Sequence, residues 1–267
     1  MKFLTIPKKP TTSLTIALSC ALALPIFAQE ATPTEEAPAD EAQTEENAQA
    51  PSNNEAATKA KAMIEALNDR EKREFGEAMI EGTKFLREKR VQEALDKLTD
   101  AELILPDHPD VLNMKGSIFV NIRDFDRAAE YFDRVDKLYP GMWQTDFNSV
   151  EMDFVRDDWA KALEGFHGIL NDYSDSVDAD TLRLIDFKIA ICQLKLEKPA
   201  EAKKIIEKYG YYDATPIFYY GNAAIAFQAG DDIGASEWIR SAKEIYPAQL
   251  NFLFEDSLFE AGWLLML

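Results

Sequence analysis

The chain has few of the residues that most often carry chemistry. Of its 267 residues only two are cysteine, Cys20 and Cys192, and two are histidine, His108 and His167. Cys20 lies in an amino-terminal segment expected to be cleaved, so no intramolecular disulfide can form in the mature chain. Cys192 sits among Ile189, Ala190, Ile191 and Leu194 and reads as a small buried hydrophobe rather than a nucleophile. Neither histidine has a partner at metal-ligand spacing, since His108 stands beside Pro109 and His167 beside Phe166, so no metal is expected. There is no phosphate-cradling glycine loop and no serine-nucleophile elbow. The acidic pairs Asp157–Asp158 and Asp231–Asp232 fit helix starts, where they cap free backbone NH groups. No cofactor and no catalytic residue is expected, and the chain reads as a non-enzyme.

Positive charge is also scarce. Lys and Arg number 29 against 48 Asp and Glu, a net charge of −19. Such a balance excludes sequence-independent nucleic-acid binding and docking on anionic lipid, both of which need basic patches. Windows that alternate apolar and polar residues over strand length are missing too, so no sheet is expected.

The basic residues Lys2, Lys8 and Lys9 precede an apolar run over 14–24, Pro25 breaks it, and Ala28 offers a small residue for cleavage. Residues 1–28 therefore read as a secretory signal peptide, and the mature chain as periplasmic or secreted. The run is too short for a stable transmembrane span. Acylation of Cys20 is disfavoured, because Ala17, Leu18 and Ser19 precede it and apolar sequence continues for eight residues beyond. Cleavage would remove three lysines and no acid, lowering the net charge from −19 to −22. Residues 29–58 hold eight acidic residues and no basic one, and read as a disordered acidic linker. A helix is expected to begin near Glu55 and run through Met63, Ile64 and Leu67, with Asn68 and Asp69 as a break or cap before a helical domain that occupies 59–267.

Within that domain, small residues and prolines recur at a spacing of 34. Gly82, Ala94, Ala101 and Pro106 are followed by Gly116, Ala128, Val135 and Pro140. Periods of this size mark solenoids whose units must stack to bury their apolar faces. A small side chain in each helix of a pair lets the backbones approach, Leu98 and Phe132 supply the apolar contact one turn on, and the prolines stop the second helix. One period is thus helix, turn, helix, stop. Two units span 75–108 and 109–142. A third, near 143–176, keeps Ala162 and Phe166 in register but has Val150 where glycine stood. A fourth carries Ala190 and Ala202 after an insertion over 171–180. The fifth, 216–249, restores the pattern with Ala223, Gly230, Ala235, Ala242 and Pro247, and residues 250–267 would form a terminal capping helix.

These residues resemble the tetratricopeptide repeat (TPR) family, whose period, small-residue pattern and terminal proline they match across about 70–247. The resemblance implies an all-α helix-turn-helix solenoid of about five repeats that binds extended peptides or helices in a concave groove lined by the first helices. Residues rotated about 100° from the small contact residue would face that groove. In the first two repeats these include Met79, Thr83, Arg87, Asn113, Ser117 and Asn121. In the later repeats they include Phe147, Phe154, Phe187, Tyr220 and Phe227. The early groove is polar and the late groove aromatic. The aromatic stripe fits either ligand anchors or a core packed against itself or under the terminal helix. The family's carboxylate clamp needs Lys and Asn one turn apart where this chain has Met79 and Thr83, so that ligand class is not implied. The reading is a protein-binding scaffold in the bacterial cell envelope, with an accessory role in outer-membrane, pilus or polysaccharide assembly, or a periplasmic holdase, as alternatives.

Overall fold

A computed structural model describes residues 53–264, with the side chains from Glu55 onward. The segments expected to be a signal peptide and, as far as residue 52, a linker lie outside the described residues. Among those described there are twelve helices and no strand. The first is α1 (Asn53–Glu65). Five helix pairs follow: α2 (Asp69–Arg87) with α3 (Val91–Ile104), α4 (Pro109–Asn121) with α5 (Phe125–Leu138), α6 (Trp143–Val155) with α7 (Trp159–Tyr173), α8 (Ala179–Lys195) with α9 (Pro199–Ile206), and α10 (Ile217–Gln228) with α11 (Asp232–Ile245). The last helix is α12 (Ala248–Glu260).

Two boundaries differ from the expectation. Residues 53–58, assigned to the linker, already belong to α1, which buries Ala56 with Leu112, Val135, Tyr139 and Met142. Lys59 Nζ donates to the Leu138 carbonyl at 2.9 Å, so α1 is tied to the end of α5. The terminal helix stops at Glu260 rather than running on, because Gly262 takes φ +75 and Trp263 N bonds back to Leu258 O at 3.1 Å.

The start of α2 is a capping box: Asn68 Oδ1 accepts from Arg70 N and Glu71 N at 3.0 Å each, and Glu71 accepts from Asn68 N at 3.1 Å. The turns inside the five pairs share one geometry. A residue in the left-handed region, Lys89, Arg123, Asp157, Glu197 or Gly230, is followed by an NH that reaches back across the turn. Those bonds are Arg90 N to Phe85 O, Asp124 N to Phe119 O, Asp158 N to Asp153 O, Lys198 N to Gln193 O, and Asp231 N to Ala226 O, all 2.8–3.0 Å. Asp157 is thus the turn residue, and the cap of α7 is Asp158, which accepts from Lys161 N. Asp231 likewise caps α11 by accepting from Gly234 N at 2.9 Å.

Within the pairs, close approach follows the small residues. A Cβ on Gly82 would meet Leu98 Cδ2 at 3.2 Å, and one on Gly116 would overlap the Phe132 ring. The third pair explains its irregular sequence: the glycine has changed sides, and Val150 of α6 presses on Gly165 of α7. The insertion is absorbed by a longer α7, the connection 174–178 and a longer α8, whose cap Asp178 accepts from Asp180 N and Thr181 N at 3.0 Å each.

Candidate protein-binding surface

The first helices pack on one another, α4 on α6 and α8 on α10, and α12 lies against both α8 and α10. Phe254 stands 34 residues beyond Tyr220, so α12 occupies the place of a sixth first helix. Its ring sits 5.1 Å from Phe187 and 5.8 Å from Tyr220. This arrangement decides which of the expected groove residues are open.

Most are not. Met79, Asn113, Ser117, Asn121, Phe147, Phe154, Phe187 and Tyr220 are all buried. Assigning them to an open groove is corrected: Phe147 and Phe154 turn onto Phe166 of α7 within their own pair, Phe187 and Tyr220 are covered by Phe254 of α12, and Asn113 meets Thr145 and Asn148 of α6. The aromatic part packs as rings, with Phe147 and Phe154 each about 6 Å from Phe166, and Phe154 edge-on to Trp159 at 5.1 Å. The polar part pairs with itself. Asn113 Nδ2 donates to Thr145 Oγ1 at 3.0 Å, Asn148 Nδ2 to Asn113 Oδ1 at 3.4 Å, and Asn121 Nδ2 to the Ser117 carbonyl at 2.9 Å. Of the eleven positions only Arg87 is exposed; Thr83 and Phe227 are partly so. Thr83 Oγ1 donates to the Met79 carbonyl at 2.8 Å, and Phe227 stacks on Trp263 with centroids 6.3 Å apart. Lys195 Nζ lies 4.0 Å over the same Trp263 ring. The first-helix surface is therefore covered in its middle and open at its two ends.

Under the aromatic stripe lies an ionic group that the sequence reading missed. Lys188 of α8 is buried, with Nζ 2.8 Å from Glu151 of α6, 3.7 Å from Glu260 of α12 and 4.4 Å from the Phe154 ring centre. Burial opposes its charge, but the two carboxylates outweigh burial and hold its pKa above the ordinary lysine value. The available signal was Lys188 set between Phe187 and the apolar run Ile189, Ala190, Ile191 and Cys192, which requires a buried partner of opposite charge.

Two of the scarce reactive residues, His108 and Cys192, are buried, and His167 is exposed. His108 is fully buried and caps α4, with Nδ1 accepting from Asp110 N at 3.3 Å. Burial lowers its pKa to about 4, against the opposing effect of the Ala60 carbonyl in α1. Burial pushes Cys192 up to about 12, so its thiol stays protonated at neutral pH. Among the described residues no group of three or more His, Cys, Asp or Glu is arranged to hold a metal, and no helix is long and apolar enough to cross a membrane. Asp136 of α5 keeps part of its surface open to solvent and lies in the field of Asp146 and Asp133; desolvation first, then those charges, raise its pKa to about 6.

No protein-family model matches the sequence, and the search of curated proteins found no match. A solved structure does resemble the fold: a tetratricopeptide repeat protein from Parabacteroides merdae, 13% identical, with 78% of each chain covered and a TM-score of 0.55. The chain accordingly has a TPR-like all-helical repeat fold.

Proposed function

We propose that this chain is an exported, non-enzymatic adaptor that recognises protein segments in the cell envelope through the open ends of its first-helix surface. The observation that carries this reading is the array of stacked helix pairs, an architecture that offers extended surfaces for protein partners. Arg87 and Thr83 stand at one end. Phe227 stands at the other, where Trp263 and Lys195 extend the accessible patch. The holdase alternative depended on an exposed aromatic groove, and burial of Phe147, Phe154, Phe187 and Tyr220 removes that support. An accessory role in envelope assembly remains a narrower version of the same reading.

Two measurements test it. Protein recovered from the producing cell is expected to begin near Gln29 and to stay soluble after osmotic release, whereas a lipid mass on Cys20 would replace export by membrane anchoring. The purified chain, incubated with envelope extract, is expected to capture a partner saturably, with capture reduced by Arg87→Glu or Phe227→Ala in variants whose thermal unfolding is monitored in parallel. Equal capture by both variants per folded molecule would remove the open ends as the binding surface.

A further inference from the structure

Helix α1 stands outside the five pairs and is seated where the repeat would not put it. Ala60 lies 34 residues before Ala94, the small residue of the second helix α3. Yet α1 does not take the place of a second helix in front of α2: Ile80, 34 residues before the buried Met114, is left 68% exposed. Glu77, Glu81 and Lys84 of α2 are exposed as well, in a helix end that suits water better than a neighbour. Instead α1 reaches the next unit, over the start of α4 and the end of α5, and turns down one stripe at i, i+3, i+4 and i+7. Ala56 packs in one cluster with Leu112, Val135, Tyr139 and Met142. Lys59 Nζ donates to the Leu138 carbonyl at 2.9 Å and stands 4.5 Å over the Tyr139 ring. The Ala60 carbonyl lies beside His108, and Met63 Sδ accepts from the Tyr139 hydroxyl at 3.0 Å.

This seat is defined in shape but lightly fastened. The α1 side chains it buries are Ala56 and Ala60, two methyl groups, with Met63 and Ile64 partly covered. At the other end of the molecule α12 buries Phe254 and Leu258 and holds Asn251 Nδ2 on the Tyr246 carbonyl at 2.7 Å. A helix of 13 residues is marginal by itself in water, so α1 keeps its form only while seated. Its departure would leave the pairs whole, because the capping box at Asn68 closes α2 without α1, and Ile64 and Leu67 pack with the α2–α3 cluster at the hinge. Departure would also uncover Leu112, Tyr139 and Met142, large apolar side chains that need another cover.

We propose that the α1 seat is a docking site for an amphipathic helix of a partner protein, held closed from within by α1. The helix that fills it defines what it accepts: small side chains at i and i+4, lysine at i+3 and methionine at i+7. Residues larger than alanine have no room at the two small positions, since both methyl groups are already buried. The lysine is selected by a backbone carbonyl and an aromatic face, and a glutamate in its place would meet the Leu138 carbonyl with like partial charge. A partner helix with this stripe displaces α1, which acts as a tethered competitor whose strength is its effective concentration.

The probe is a labelled peptide with the sequence of residues 53–67, offered to the full chain and followed by fluorescence anisotropy. The unaltered chain is expected to bind it weakly, because the tethered α1 competes. Ala56→Glu combined with Ala60→Glu in the chain unseats α1 and is expected to tighten binding about tenfold or more, while thermal unfolding remains one transition. A peptide carrying Ala60→Glu should not bind, and one carrying Lys59→Glu should bind about tenfold less tightly. Hydrogen exchange of the unaltered chain gives a second reading: amides of α1 should exchange about a hundredfold or more faster than those of α4 and α5. Five outcomes would overturn the proposal: no saturable binding to the double variant, equal affinity for both chains, α1 amides as protected as those of α4, loss of the unfolding transition in the double variant, or a concentration-dependent dimer of the unaltered chain that the double variant loses. The fourth would make α1 part of the core, and the fifth would fill the seat with α1 of a second copy. Failure here leaves the reading of Arg87 and Phe227 unaffected, because those residues are not part of the seat.

Discussion

The first two helix pairs and the last three achieve close packing by different means. In the first two, a glycine on the first helix receives a large side chain from the second: Gly82 takes Leu98 and Gly116 takes Phe132. In the third the glycine has moved to the second helix, as Gly165 under Val150. At the fourth and fifth the close contact is between units, Gly221 of α10 against Ile206 of α9. The inner faces differ in parallel, with an amide and hydroxyl network between α4 and α6, and an aromatic stripe with a buried lysine from α6 to α12. Loss of sequence regularity is therefore not loss of fit. The complementarity has been redistributed, and a repeat that looks degenerate can be as tightly packed as a regular one.

The sharpest way to break this comparison is to empty one inner face at a time. Phe154→Ala or Phe187→Ala is expected to cost about 3–5 kcal/mol, since each ring is fully buried. Asn113→Ala should cost less, about 1–3 kcal/mol, for the hydrogen-bonding groups it leaves unmet. Denaturant midpoints for the three variants rank the two faces directly, and equal losses would contradict the contrast drawn here. The exchanged glycine can be tested by itself. Gly116→Leu and Gly165→Val should each overpack their pair by about 1–3 kcal/mol, with Lys137→Leu on the exposed side as a control. Adding Val150→Gly should rescue Gly165→Val and leave Gly116→Leu unimproved.

A smaller effect separates the halves by pH. Asp136 holds its proton to about pH 6 in the folded chain but titrates near its ordinary 3.8 when unfolded. The folded state therefore binds more protons between about pH 4 and 6, and this site's contribution to stability falls as pH rises through that window. Asp136→Asn should raise stability at pH 7 by up to about 1 kcal/mol, after allowance for solvent screening at a site that is open on one side, and should change nothing below about pH 4. Thermal scans of both proteins across pH 4–8 give the comparison. The smallest expected change is at the turns. Lys89→Gly or Glu197→Gly should stabilise by up to about 1 kcal/mol, because φ near +60 suits glycine better than a side chain. The same substitution at exposed Lys161, within α7, should destabilise by a similar amount.

The period and the helix order were legible because small residues, prolines and caps act locally: Gly116 with Ala128 set the α4–α5 pair, and Asn68 set where α2 starts. The contacts between units were not, since which first helix meets which depends on several residues at once and no one residue reports it. Exposure was therefore read wrongly for Asn113 and Ser117, whereas for Phe187 the alternative of a core under the terminal helix is the one found. Left-handed turn residues escaped notice because four of the five are Lys, Arg, Asp or Glu rather than glycine.

The ionic group around Lys188 also bears on how the chain comes apart. A stack in which each unit touches only its neighbours can fray one unit at a time, with cooperativity set by nearest-neighbour terms. Lys188 and Glu260 join α8 to α12 past the intervening α10–α11 pair, and Phe187 meets Phe254 across the same gap. Such next-nearest coupling penalises any state in which the carboxyl-terminal end opens alone, since opening it would leave Lys188 without one of its two carboxylates in a low-dielectric interior. Amide protection should thus rise and fall together from α6 to α12, as a single exchange unit.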